Sequence, residues 1–250
     1  MVGKSVIITG ASSGIGKNLA LEFASKGYSL GLTARRYELL KEVQLEIHEK
    51  FGKEIKVELR VLDVTIYRDV FRIIKELNYA LGGLDILVAN AGIAGSHPVG
   101  TGHFQQDKNV IETNVIGAIA CVDATMEIYR GQNRKGQIVG ISSVAGHRGF
   151  PGNGSYCASK AAFTAYLESL RMETLNEGIH VTTILPGFID TPINSHMPNR
   201  PFVIDSKKGA KKIFKAIIKK KKVAYVPFFP WNYLGRLVKI LPDFLFRKIK

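Results

Sequence analysis

The feature that most constrains the fold is a regular alternation of short apolar runs with amphipathic stretches. Residues 6–8, 29–33, 56–61, Ile86–Ala89, Gln137–Ile141, 180–185 and Val223–Val226 are short, mostly apolar runs that include β-branched residues, and they read as buried strands. Residues 17–26, Tyr37–Phe51 and 69–81 carry apolar side chains at helical spacing between them. Strands that alternate with helices imply a parallel sheet covered on both faces, joined by right-handed crossovers. No repeat and no low-complexity linker interrupts the pattern, and 250 residues suffice for one domain with a large core. The expected architecture is therefore α/β, a single doubly wound domain over residues 1–250, with a ligand at the carboxyl ends of the strands.

The first strand leads into Thr9-Gly10-Ala11-Ser12-Ser13-Gly14-Ile15-Gly16, and an amphipathic stretch follows. Strand, glycine-rich turn and helix is the arrangement that aims backbone N–H groups at a pyrophosphate. Gly10 would make the turn, Gly14 would let the backbone approach the ligand, and Gly16 would let helix pack on strand. The spacing is GxxxGxG rather than the commoner GxGxxG.

A second constellation is Tyr156-Cys157-Ala158-Ser159-Lys160, with Ser143 thirteen residues upstream. Tyr and Lys four apart share one face of a helix. There an ammonium lowers a phenol's pKa by charge proximity, and such a phenol exchanges a proton with a carbonyl or an alcohol. Other chemistries have less support. The six histidines show no HxxxH or HxxEH spacing and no cysteine partners, so no metal site is expected. The two cysteines, Cys121 and Cys157, fall in helix-like segments, which points to a reducing, cytoplasmic setting rather than a disulfide framework. The first strand begins almost at residue 1, so no leader is expected, and no run of about 18 apolar residues suggests a membrane span.

The glycine turn, Asn90-Ala91-Gly92, Asn114, Ser143, the Tyr156–Lys160 pentapeptide and Pro186-Gly187 occur in the order seen in the short-chain dehydrogenase/reductase family. On these six motifs, over roughly residues 4–192, the chain resembles that family. The resemblance implies seven strands in the order 3-2-1-4-5-6-7. It implies Tyr156 as acid/base, Lys160 lowering its pKa and binding the nicotinamide ribose, Ser143 holding the substrate oxygen, and Asn114 supporting a water relay to the lysine. Ser142 is adjacent to Ser143 but should face the other way. Asp63 and Val64 would flank the adenine, and Asn90, Ala91 and Gly92 would line the adenosine ribose. Pro186, Gly187, Ile189 and Thr191 would border the nicotinamide. With Gly10, Ser12, Ser13, Gly14, Ile15, Gly16, Arg35, Tyr156 and Lys160, these form the candidate cofactor-binding set.

The second strand ends in Ala34-Arg35-Arg36 with no carboxylate. An acidic residue here would bind a ribose 2′-OH, whereas a guanidinium suits a 2′-phosphate. NADP(H) is therefore expected over NAD(H), with Arg35 as the main contact and Ser12 and Ser13 as added donors. Residues 190–206 resemble the family's substrate lid. The 95–103 loop and His147-Arg148-Gly149-Phe150 would form other walls, and Phe150, Met197 and Phe202 suggest an apolar pocket; the basic, aromatic end of the chain resembles that of some membrane-associated carbonyl and hydroxysteroid reductases of the family, which implies a lipid-like ketone or alcohol as substrate.

The net charge is +14, and almost all of it lies at the end: residues 207–250 hold 14 Lys and Arg against one acidic residue. Ala210, Ile213, Phe214, Ile217 and Ile218 have the spacing of a core-facing helix whose lysines are solvated. Residues 228–250 mix Phe228, Phe229, Trp231, Leu234, Leu237, Ile240 and Phe244-Leu245-Phe246 with Arg236, Lys239, Arg247, Lys248 and Lys250. Such a tail fits contact with an anionic membrane surface, or packing on its own or a partner subunit. Nucleic acid is not expected, because no recognition motif accompanies the charge. The Gly-rich closing strand of many tetrameric relatives is missing, so a homodimer through helices 113–129 and 156–177 is expected, with a tetramer left open. Alternatives to the reductase reading are a 3-oxoacyl-(carrier protein) reductase and a non-catalytic NADP-binding membrane-surface protein.

Overall fold

The computed structural model describes residues 4–195, Met197 and 199–243. The lid positions His196 and Pro198, and the tail positions Phe244 to Lys250, lie outside the described residues. Seven parallel strands form one sheet: β1 (Ser5–Thr9), β2 (Ser29–Ala34), β3 (Val57–Val61), β4 (Ile86–Ala89), β5 (Gln137–Ile141), β6 (His180–Pro186) and β7 (Val223–Val226). Their order is β3-β2-β1-β4-β5-β6-β7, as the family resemblance implies. Helices α1 (Gly14–Ala24), α2 (Tyr37–Phe51), α3 (Tyr67–Leu81), α4 (Phe104–Ile111), α5 (Ala118–Gly131), α6 (Gly154–Glu173), α7 (Ser206–Ile218) and α8 (Phe228–Ile240) complete it.

Strand alternation sorts the core into two layers. Val6 and Ile8 join Leu30, Leu32, Ile86 and Val88 under Leu19 and Phe23 of α1, Leu40 of α2 and Phe214 of α7. Ile7, one residue away, joins Leu87 and Ile138 on the other face, under Ile74 and Leu77 of α3, Tyr129 of α5 and Phe163 of α6. Because both faces are covered, β1 is buried throughout and reads as an uninterrupted apolar run. The strand order reverses between β1 and β4, which opens a crevice beyond their carboxyl ends. The glycine turn and Asn90-Ala91-Gly92 both emerge there.

Three expectations change in detail. The helix expected over 113–129 begins earlier, at Phe104, and is broken by a π-helical segment at Glu112–Gly117 that contains Asn114. Such a single wide turn is frequent at functional sites, and no apolar spacing announces it. Ile218, expected in the core, is 44% exposed, because α7 ends there and the chain turns away at Lys219. The first part of the tail, Phe228–Ile240, is a structured helix. The chain kinks at Phe229, and the helix proper begins at Pro230, whose fixed φ and missing N–H suit a first helical position. Asp205 caps α7 by accepting from the Lys207 and Lys208 backbone N–H groups.

Candidate active site

A cavity of about 250 Å³ runs along the carboxyl ends of β1, β2, β4, β5 and β6. At one end lies the glycine turn. Gly10 and Gly14 have φ of +66° and +55°, which an L side chain rarely adopts. A Cβ on Gly16 would collide with the Gly10 carbonyl oxygen and lie 2.6 Å from Asn90 Nδ2. Replacing Gly16 with Ala should therefore lower stability by about 1–3 kcal/mol through overpacking. A thermal midpoint that does not fall by several degrees would show that the turn can yield.

Asn90 holds this turn in place. Its Nδ2 donates to the Thr9 and Gly10 carbonyls at 2.8 and 3.1 Å, while Thr9 Oγ1 accepts from the Asn90 and Ala91 backbone N–H groups. Asn90 lines the cavity, but its amide nitrogen is occupied by the turn. The Ser13 side chain makes no cap bond at the start of α1, and no acidic residue stands in the first turn. The uncapped N–H groups and the positive end of the helix dipole thus face the crevice, which suits a pyrophosphate.

At the end of β2, Arg35, Arg36, Leu62, Asp63 and Val64 border the same cavity. Arg36 Nη2 donates to Ser12 Oγ at 3.4 Å, and Arg35 Nη1 stands 3.9 Å from Asp63 Oδ2. Asp63 Oδ1 accepts from the backbone N–H and hydroxyl of Thr65, which fixes the loop. The structure gives the second arginine a bridge across the glycine turn that the sequence did not single out.

Toward the other end, Ser143, Tyr156, Lys160, Pro186, Gly187, Ile189 and Thr191 line the cavity together. Ser142 and Ser143 do face opposite ways. Ser142 Oγ donates to the Lys160 carbonyl and lies 2.7 Å from Thr164 Oγ1, whereas Ser143 Oγ accepts from the Ala145 N–H, donates to the Pro186 carbonyl at 3.4 Å and lines the cavity with Tyr156. Lys160 is buried, and its Nζ donates to the Ile141 carbonyl at 3.0 Å. Asn114 is also buried. Its Nδ2 donates to the Ile93 carbonyl and Ser159 Oγ, and its Oδ1 accepts from the Ile93 N–H. Gly92 lies between Asn114 Oδ1 and Lys160 Nζ.

The electrostatics correct one expectation. The Tyr156 pKa is raised, chiefly by burial; the Ser143 hydrogen bond lowers it and Cys157 adds a small rise. Lys160 Nζ is turned to the Ile141 carbonyl and sits 5.7 Å from the Tyr156 ring centroid. Burial also lowers the Lys160 pKa, to about 8. The phenol is thus neutral and proton-bearing at neutral pH.

The expected outer walls are reassigned in part. His147 Nε2 meets Tyr225 Oη at 3.0 Å, and Arg148 donates to the Val238 and Leu241 carbonyls and pairs with Asp243. These residues tie α8 to the body and do not line the cavity. The 95–103 loop is tied to α4 by His97 and Asp107 at 3.1 Å, and the His97 N–H donates to the Gly152 carbonyl at 2.8 Å. The lid does reach the cavity: Thr191, Pro192, Ile193 and Asn194 line it, and Ile189 pairs with Ile204 across the base of the lid. Phe202 packs edge-on against Trp231, centroids 6.2 Å apart. Trp231 itself lies against Gly187 so closely that a Cβ there would overlap the indole. Trp231 and Ile93 were not anticipated near this site, whereas Asn194 belongs to the expected lid. Ile93 is adjacent to a quoted motif, but no spacing places residue 231 against residue 187.

Comparison with known proteins agrees with this geometry. The family model for short chain dehydrogenase matches residues 4–201. An uncharacterized oxidoreductase of Mycobacterium tuberculosis is 35% identical, covering 98% of this chain and 96% of its own. A short-chain dehydrogenase/reductase from Burkholderia phymatum, solved in complex with NAD, superposes with a TM-score of 0.85 at 25% identity, covering 94% of this chain and 92% of that one. An alcohol dehydrogenase from Thermococcus sibiricus complexed with 5-hydroxy-NADP gives 0.79 at 25% identity, covering 89% and 95%.

Proposed function

The chain belongs to the short-chain dehydrogenase family of oxidoreductases, and on that premise we propose that it transfers a hydride between NADP(H) and a carbonyl or secondary alcohol, with Tyr156 as general acid/base. The observation that carries this reading is the convergence of Ser143, the raised, neutral Tyr156 phenol and buried Lys160 on one cavity continuous with the glycine turn. We read residues 1–250 as one dinucleotide-binding domain, with 190–206 as the substrate lid.

The residues present fit a nicotinamide dinucleotide. The uncapped start of α1 and the close Gly10–Gly16 approach suit the pyrophosphate. Asp63 and Val64 stand at the adenine end, Ala91 and Gly92 along the adenosine ribose, and Pro186, Gly187, Ile189 and Thr191 at the nicotinamide end. The bound cofactor supplies the hydride. Tyr156 Oη gives its proton to the substrate oxygen in reduction and takes one in oxidation, while the Ser143 hydroxyl orients that oxygen. Lys160 contributes a positive charge next to the phenol and a donor for ribose hydroxyls, and Asn114 anchors the loop at Ile93 beside it. The apolar contacts of Phe188, Phe202 and Trp231 next to Gly187 favour an apolar substrate.

The preference for NADP(H) rests on Arg35 and Arg36. The double variant Arg35→Ala, Arg36→Ala should lower the ratio of kcat/KM for NADPH over NADH about tenfold or more, since charge-assisted bonds contribute about 1.5–3 kcal/mol each. An unmoved ratio would remove the arginines from the argument. The reading as a whole is tested by NADPH and NADH oxidation against ketones, aldehydes and 3-oxoacyl thioesters. Turnover of long-chain ketones or aldehydes is expected. Best turnover of the thioesters would move the substrate to acyl chains, and tight NADPH binding without turnover across the panel would overturn the enzyme reading. For assembly, we place a dimer face on α5 and α6, where Met172 is exposed, as is Leu175 just past the end of α6.

A further inference from the structure

Helix α8 is apolar on two opposite sides, and among the described residues only one of them is covered. Trp231, Gly235 and Val238 fall at i, i+4 and i+7 and turn inward: Trp231 and Gly235 are buried, packed on Gly187, His147 and Tyr225. Tyr233, Leu237 and Ile240 repeat that spacing two residues later, which places them across the helix axis. They are 62%, 48% and 78% exposed. Phe228 and Phe229 extend this stripe at its start, 56% and 73% exposed. A helix that is apolar on both sides is ordinarily buried on both. Large apolar side chains set in one exposed row call for a cover.

The surroundings indicate its chemistry. Arg236 and Lys239 border the stripe on one side. There the helix adjoins a cleft of about 680 Å³ that runs past the open edge of β7. Among the described residues the cleft is lined by Lys212, Lys215, Lys219, Lys221, Arg171 and Arg236, against one carboxylate, Glu168. A second copy of the chain would bring the same cations against themselves, since residues 207–250 hold 14 basic residues and one acidic one. A surface that is both apolar and anionic complements the stripe and its cationic border together. Among the described residues no helix is long and apolar enough to cross a membrane, so the contact is one that lies on the surface.

We propose that the outward stripe of α8, Tyr233, Leu237 and Ile240 with Phe228 and Phe229, docks on an anionic lipid surface, with Arg236, Lys239 and the lysines of the cleft facing the headgroups. The inward side of the same helix touches Gly187 and, through Trp231, the lid residue Phe202. Docking therefore sets the lid side of the candidate active site next to the bilayer. The proposal goes beyond the hydride-transfer reading and does not depend on it.

The test is sedimentation of the full chain with phosphatidylglycerol–phosphatidylcholine vesicles and with phosphatidylcholine vesicles alone. The parent should sediment with the anionic vesicles and much less with the neutral ones. The triple variant Tyr233→Gln, Leu237→Gln, Ile240→Gln should bind the anionic vesicles about tenfold more weakly or less, as the apolar insertion is lost. Arg236→Gln with Lys239→Gln should narrow the difference between the two vesicle types. Turnover of a water-soluble carbonyl and the thermal midpoint should match the parent in both variants, which separates loss of docking from loss of fold or chemistry. Undiminished sedimentation of the triple variant would reduce the effect to plain polybasic adsorption and overturn the proposal. So would failure of the parent to sediment, or a parent dimer that the triple variant abolishes without any vesicle binding.

Discussion

Tyr156→Phe should lower kcat by about 10³-fold or more while leaving the NADPH dissociation constant nearly unchanged. The substitution removes one oxygen from the cavity wall, and with it the proton that reaches the substrate oxygen. General acid–base catalysis by a positioned group contributes about 10²–10⁴-fold. Burial raises the phenol's pKa, so at neutral pH it stands protonated, ready to donate in the direction of carbonyl reduction. Alcohol oxidation needs the opposite form, a base, and its rate should climb as pH rises toward the raised phenol pKa. Two measurements decide this: single-turnover rates with NADPH and the best carbonyl of the panel, and fluorescence titration with NADPH. Turnover in the phenylalanine variant within a few-fold of the parent would falsify the assignment.

Lys160→Met should abolish turnover and, at pH 7, raise stability. The side chain is 5% exposed, and burial brings its pKa from the ordinary 10.5 to about 8. Below about pH 8 both the native and unfolded chains hold this proton, and the native state bears the full cost of a buried ammonium. Between about pH 8 and 10.5 the unfolded chain binds more protons than the native one, so stability rises with pH across that window and the cost is gone above it. The depression corresponds to about 3 kcal/mol. Against it stands the hydrogen bond from Nζ to the Ile141 carbonyl, contributing about 1 kcal/mol, which methionine cannot make. A net gain of about 2 kcal/mol at pH 7 is expected, a rise of several degrees in the thermal midpoint for a chain of this size. The gain should shrink above pH 8 and reverse near pH 10 to 11. A variant less stable than its parent at pH 7 would mean that this lysine is solvated or paired when charged. The expected combination, a more stable and inactive protein, is the trade-off of a group retained for chemistry rather than for folding.

The strands and the site motifs were legible because their signals are short-range. Seven apolar runs of three to six residues locate β1 to β7 to within about a residue, since a strand buried on both faces admits little else. The glycine turn was readable because its geometry excludes a Cβ at Gly10, Gly14 and Gly16. The opposed directions of Ser142 and Ser143 followed from the two-residue period of a strand. The π-helical turn at Asn114 was not legible, because a helix widened by one residue leaves the apolar spacing around it nearly intact.

By itself the sequence determined the layered parallel sheet, the crevice where its strand order reverses, and the residue types gathered there. Only the tertiary structure decided which way their side chains turn. Lys160 reaches the Ile141 carbonyl rather than the phenol, Arg36 bridges to Ser12, and His147 and Arg148 hold the last helix instead of lining the cavity. It also decided that Trp231 closes against Gly187 while Tyr233, two residues on, faces outward. Periodicity shows that a helix has two apolar sides. Which side is covered depends on contacts between residues far apart in the chain, and those exist only once the sheet has brought β6, β7 and the last helix together.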